Sequence, residues 1–331
     1  MLTSRKSQWL SSVMVLATVL VVMCHADDVI RMEDRGWIVR WLGGAFTASN
    51  TPNFFFLSGM LLGMHCGEDG WWGRAVIKRM RTLLIPYVLW NLVCFGLDLA
   101  LSFAKSVANG TSCGALDLAR HRFCWGIPAA LGLSPFGCPY LFPLWYIKCL
   151  FLFVLISWPL FWIVERFKKG SLIFIVLILG LFSWAAYYDV SCVLSVRRTF
   201  DLQGLGFFLL GGWLMIHFPG EEWTPTRVFA MLSFSAWCVT SALVVGLPEH
   251  VAEALRPLYV AIAMFALNAI VRAFDIRMPK ALVVNAFFIY VCHWYIFSKL
   301  SMAFQFAGLT GYCGLVMCGV GVPVVIGMMM K

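Results

Sequence analysis

Apolar runs fill most of the chain, and polar positions collect in short breaks between them. The runs cover about 9–25, 44–66, 83–104, 141–164, 171–189, 200–218, 226–247, 257–274, 281–304 and 307–330. Each approaches the ~20 residues that carry a helix across a ~30 Å hydrocarbon core. Over such lengths only a helix satisfies its own backbone in lipid. The pattern predicts an all-α protein, a polytopic integral membrane helix bundle of about ten transmembrane helices, with 1–331 forming a single membrane-embedded domain. The longest polar stretch, 105–140, carries Asn109-Gly110, Arg120-His121-Arg122, Pro128, Pro135 and Pro139. Prolines and turn residues at that density break a regular helix, so this stretch is expected to be an external cap loop.

Residues 51–91 organise the rest. The apolar run Phe54–Met64, with Ser58–Gly59 inside it, is followed by the cations Arg74, Lys78, Arg79 and Arg81. A second apolar run then opens at Leu83, with Pro86 early in it and Trp90–Asn91 after. Two spans joined by a basic loop read this way, and such a loop faces the cytoplasm. The short segment Glu165–Gly170, with Arg166, Lys168 and Lys169, carries the same signal. Together they set both termini inside, N-in/C-in. At the start, Arg5 and Lys6 precede an apolar run that ends at Cys24-His25-Ala26. That arrangement also fits a signal peptide, and an uncleaved first span is preferred because of His25.

Composition agrees with the pattern. Hydrophobic residues make up 61% of the 331 and charged residues only 12%, where a soluble chain needs about a quarter charged. The net charge of +9 does not point to nucleic acid, because the cations sit in loops and not on one polar face. Most of the 12 cysteines lie inside apolar runs, where a thiol behaves as a small hydrophobe. Cys113, Cys124 and Cys138 share the cap loop and could form a disulfide if it faces an oxidising compartment. No CxxC pair or zinc-like spacing occurs, so no metal is expected. There is no Walker or glycine-rich nucleotide fingerprint.

Ionisable groups inside a span are costly and point to function. His25 closes the first run, Lys148 lies within Pro143-Leu144-Trp145-Tyr146-Ile147-Lys148, and His293 lies deep in the ninth run. Imidazole takes and returns a proton near neutral pH, so His25 and His293 are the leading candidates for catalysis. Each group has a plainer reading. The histidines could be hydrogen-bonded interface residues, Lys148 could snorkel, and Ser58–Gly59 could be a helix-packing surface.

Five stretches, in order, resemble the acyltransferase 3 family of multi-pass membrane acyltransferases. They are VVMCHA ending at Ala26, NFFFLSGMLLG from Asn53, IKRMRTLLIPYVLW from Ile77, PLWYIKCLFLF from Pro143 and AFFIYVCHWYI from Ala286. The resemblance implies transfer of an acyl group, commonly acetyl from acetyl-CoA, to a hydroxyl of a surface glycan or lipid-linked sugar at a bacterial inner membrane. It makes His25 the main catalytic residue, with Ser58 and His293 at the site. Arg74, Lys78, Arg79 and Arg81, with Lys148, would then meet the anionic phosphates of acyl-CoA, which is a donor substrate and not a permanently bound cofactor. Expected partners are membrane lipid, the sugar acceptor and acyl-CoA. Two departures stand out. Met14 occupies the place of a family arginine eleven residues before the histidine, and Lys148–Cys149 replaces an Arg-Asp pair. A flippase of a polar lipid or glycan, and a non-catalytic family member, remain as alternative readings.

Overall fold

A computed structural model describes residues 4–109, 140–188, 200–219 and 223–330. The region expected to form the cap lies almost entirely in 110–139, outside the described residues, as do Cys113, Cys124 and Cys138. Among the described residues the secondary structure is helical, with no strand. We number the principal helices α1 (Ser4–Val29), α2 (Asn50–Gly63), α3 (Trp71–Arg79), α4 (Ile85–Ala108), α5 (Trp145–Arg166), α6 (Lys168–Tyr187), α7 (Leu202–His217), α8 (Arg227–Val244), α9 (Arg256–Ala273), α10 (Lys280–Phe304) and α11 (Gly308–Met329).

Among the described residues, eight segments are long and apolar enough to cross a membrane. They coincide with eight of the ten apolar runs. The other two runs form the shorter helices α2 and α7, of 14 and 16 residues. At 1.5 Å per residue these reach only about 21 and 24 Å, less than the hydrocarbon thickness. Helices that short survive in a membrane protein where other protein covers them. Both are buried along most of their length.

What covers each is largely the other. A Cβ on Gly59 would fall 1.9 Å from the Phe208 carbonyl oxygen, and one on Gly211 would fall 2.0 Å from the Phe56 carbonyl oxygen. Gly63 meets the Gly212 backbone in the same way. Backbone therefore touches backbone, the close approach that small residues permit between membrane helices. The Ser58–Gly59 pair belongs to this surface through its glycine.

The chain divides into two compact units. The first comprises Met1–Glu68, Pro159–Leu194 and Leu202–Lys331, and the second comprises Asp69–Trp158 and Ser195–Asp201. The boundary cuts α5 at Pro159, a residue inside the helix that lacks the N–H needed to continue the hydrogen-bond ladder. In the first unit, one core gathers Val13, Leu57, Phe207, Val260 and Ala263 from α1, α2, α7 and α9. A second core gathers Val22, Ala26, Ile289, Phe297, Tyr312 and Leu315 from α1, α10 and α11.

In the second unit, α3 runs through a π-helical turn, Met80–Leu84, into α4. The continuous segment Trp71–Ala108 has 38 residues, about 57 Å at the helical rise, so its cationic first third extends beyond what a bilayer core needs. Trp72 fastens it by donating to the Val154 and Leu155 carbonyls at 3.1 and 3.2 Å. Asn91 ties α4 to the start of α5. Its Nδ2 donates to the Tyr87 carbonyl at 2.7 Å, and its Oδ1 accepts from the Leu141 N–H at 2.8 Å. Tyr140 donates to Asp98 Oδ2 at 2.9 Å, which gives that intraspan carboxylate a partner.

Candidate active site

The last turn of α1 builds the site. The helix continues past His25 to Val29, so Asp28, three residues on, lies on the same face as the imidazole. His25 Nδ1 and Asp28 Oδ2 are 2.9 Å apart. The imidazole side chain is 12% exposed and the carboxylate 51%, so the pair stands at the edge of the packed interior. A carboxylate at one ring nitrogen fixes the tautomer of the imidazole.

α10 brings the second imidazole. His293 is completely buried, and its ring stacks on that of His25 with centroids 5.4 Å apart and planes 19° apart. Trp294 meets the His25 ring edge-on, with centroids 5.2 Å apart. His293 Nδ1 lies 3.1 Å from the Ile289 carbonyl. A carbonyl can only accept, so Nδ1 carries the proton and Nε2 is left as an acceptor.

The surroundings hold further polar atoms. Asp27 sits 3.5 Å from Arg35 Nη1, and Arg35 Nε donates to the Ile30 carbonyl at 2.8 Å. Tyr312 of α11 lies within electrostatic reach of Asp27 and Cys24. Three buried atoms have no hydrogen-bond partner among the described residues: His293 Nε2, Asp27 Oδ1 and the Tyr312 hydroxyl. Buried polar groups are nearly always paired, so these three atoms are exceptions. Among the described residues no group of His, Cys, Asp and Glu could hold a metal ion.

The structure unites some of the expected residues. His25 and His293 meet. Ser58 belongs to the same unit but to a different level. Its neighbours Phe56 and Met60 line a cavity with Trp9, and Trp9 precedes His25 on α1 by 16 residues, about 24 Å. Ser58 makes no side-chain hydrogen bond among the described residues. The basic residues belong to the second unit. Arg74, Lys78 and Arg81 are exposed, whereas Arg79 is partly covered and lies within electrostatic reach of Tyr146 on α5. Lys148, half-buried on α5, is in that unit as well.

Met14 lies three turns before His25 on the same face of α1, about 16 Å away, and is 41% exposed. The cations placed near the His25 end of α1 come from elsewhere: Arg35, and Arg256 at the start of α9, which is close enough to act on Cys24 and pairs with Glu253 at 2.8 Å. Sequence reasoning missed Asp28, Arg35 and Arg256. Asp28 had a readable signal, since it follows the histidine at helical spacing. The two arginines had none, because their approach depends on tertiary packing.

The long apolar helices of the described residues are those of a multi-pass membrane protein. The acyltransferase domain model of the acyltransferase 3 family matches residues 8–328, and the chain belongs to that family of acyltransferases. Neither a curated protein nor a solved structure gives a match.

Proposed function

We propose that this membrane acyltransferase moves an acyl group, acetyl in the simplest case, from acyl-CoA to a hydroxyl of a glycan or lipid-linked sugar at a bacterial inner membrane. The observation that carries the reading is His25 held by Asp28 against His293. In the step envisaged, His25 Nε2 removes the proton of the acceptor hydroxyl as its oxygen attacks the thioester carbonyl. The tetrahedral intermediate collapses, the carbon–sulfur bond breaks, and the CoA thiolate takes the proton back from the imidazolium. Asp28 orients the imidazole and stabilises its charged form. His293 Nε2 is an acceptor suited to orienting the incoming hydroxyl, and the Tyr312 hydroxyl can donate to a sugar oxygen.

Arg74, Lys78, Arg79 and Arg81 are the residues suited to the CoA phosphates, since guanidinium binds phosphate in a bidentate way and ammonium as a point charge. Lys148 is assigned to the same donor.

Radiolabel transfer from acetyl-CoA in membranes containing the wild type, His25→Ala or Asp28→Asn tests the reading. Label is expected in a glycan or lipid fraction with the wild type, to be lost in His25→Ala and sharply reduced in Asp28→Asn. Undiminished transfer by His25→Ala would overturn the assignment.

A further inference from the structure

At the opposite end of α1 from His25, two cavities adjoin and share Lys6, Trp9, Trp223 and Arg272. One, of about 270 Å³, is lined mainly by apolar side chains, among them Leu10, Met60, Met215 and Phe265. The other, of about 150 Å³, is polar, with Gln8, Thr224 and Asp275 on its wall. The shared rim is cationic. The Arg272 guanidinium lies 4.0 Å from the centroid of the Trp9 ring and donates to the Trp223 carbonyl at 2.7 Å. The one carboxylate on the wall, Asp275, is held by Arg277 at 2.6 Å, so the balance facing the cavities is positive.

Two buried polar atoms of residues that line these cavities have no hydrogen-bond partner among the described residues: Trp9 Nε1 and Asn268 Oδ1. Asn268 is 4% exposed and lines the apolar cavity. Its Nδ2 is already engaged by the Met264 carbonyl at 2.8 Å, which leaves Oδ1 as an acceptor. An apolar chamber, a cationic rim, one buried donor and one buried acceptor together describe a site for an amphiphile.

We propose that these joined cavities bind an anionic phospholipid. One acyl chain enters the apolar chamber, and the phosphate lies between Lys6 and Arg272 within reach of the Trp9 N–H. A glycerol hydroxyl donates to Asn268 Oδ1. The site is independent of the acyl-transfer reading, because it shares no residue with the histidine pair or with the basic segment of α3. Charge argues for a membrane lipid. Lys6 opens α1 on the side where the cations of the chain predict cytoplasm, and that leaflet carries anionic lipids that attract Lys and Arg.

The test is native mass spectrometry of the purified full-length protein in micelles containing equal phosphatidylglycerol and phosphatidylcholine. The wild type is expected to retain phosphatidylglycerol with about fivefold or greater preference, the gain of roughly one cation at an anionic surface. Lys6→Gln and Arg272→Gln should each bring the two lipids towards parity, and Met215→Trp should reduce retention of both by filling the chamber. Because Arg272→Gln also breaks the contacts to Trp9 and Trp223, Lys6→Gln keeps the test separate from folding. Equal retention by the wild type, or an unchanged preference in Lys6→Gln, overturns the proposal. So does displacement of phosphatidylglycerol by stoichiometric acetyl-CoA, which would give the chamber to the acyl donor.

Discussion

His25 and His293 stack with ring centroids 5.4 Å apart, although 268 positions separate them in the chain. His25 Nδ1 meets Asp28, and His293 Nδ1 meets the Ile289 carbonyl. The two partners differ in kind. A carboxylate stabilises an imidazolium, whereas a single backbone carbonyl inside an apolar helix does so far less. In the proposed mechanism that difference gives the base to His25 and hydroxyl orientation to His293. His25→Ala is therefore expected to lower the transfer rate by about 10²–10⁴, the usual contribution of a general base. His293→Gln, which keeps a polar side chain, should mainly raise the acceptor KM. Steady-state transfer kinetics on both variants checks the division, and a larger kcat loss for His293→Gln would reverse it.

Asp28→Asn should reduce kcat by roughly tenfold or more while leaving the donor KM unchanged, because the amide can hold the ring but cannot offset its charge. Asp28→Glu should recover part of the rate. A purely structural role would show instead as equal losses for both variants together with lower yield of inserted protein.

Gly211→Ala and Gly59→Ala should each destabilise the protein by about 1–3 kcal/mol or more, since the added methyl meets a backbone oxygen that cannot turn aside. Gly180→Ala is the control, because nothing lies within 4 Å of its added carbon. Thermal unfolding in detergent should show lower midpoints for the first two and little change for the third.

Asn91→Ala should cost about 1–3 kcal/mol, the penalty of leaving the buried Leu141 N–H without its acceptor. Limited proteolysis should then cut near Tyr140 faster than in the wild type. Equal cleavage rates would show that Asn91 does not hold that junction.

Cys66, between α2 and α3, offers a probe outside the spans. Burial and the Glu165 carboxylate push its thiol up from 9.0 to about 11, against the pull of the Gly67 N–H. At pH 8 its thiolate fraction should be on the order of a hundredfold below that of an ordinary thiol. Maleimide labelling followed by mass spectrometry should find it slow, and faster in Glu165→Gln. The folded value lies above the unfolded one, so between about pH 9 and 11 the unfolded chain has released a proton that the folded chain keeps. This group's contribution to stability therefore falls as pH rises through that window.

The lengths of the apolar runs made the long helices legible, because lipid imposes one length and one backbone solution on each. α2 and α7 carry the apolar composition of a span in helices of only 14 and 16 residues. A π-helical turn at Trp41–Ala45 leads into the run 44–66, which holds buried Thr47, Ser49, Asn50 and Asn53. Those polar residues were visible in the sequence, but their burial by neighbouring protein was not. His25 and His293 were recognisable as costly groups in apolar runs, yet their contact was not, since it depends on how α1 and α10 pack. Asp28 was missed because the first span was ended at His25, one turn too early.

The glycine contact between α2 and α7 also bears on turnover. Helices separated by side chains can slide by letting those chains change rotamer, and two touching backbones have no such layer. Gly59 against Phe208 and Gly211 against Phe56 act as a weld. In any rearrangement of the first unit, α2 and α7 travel as a single part.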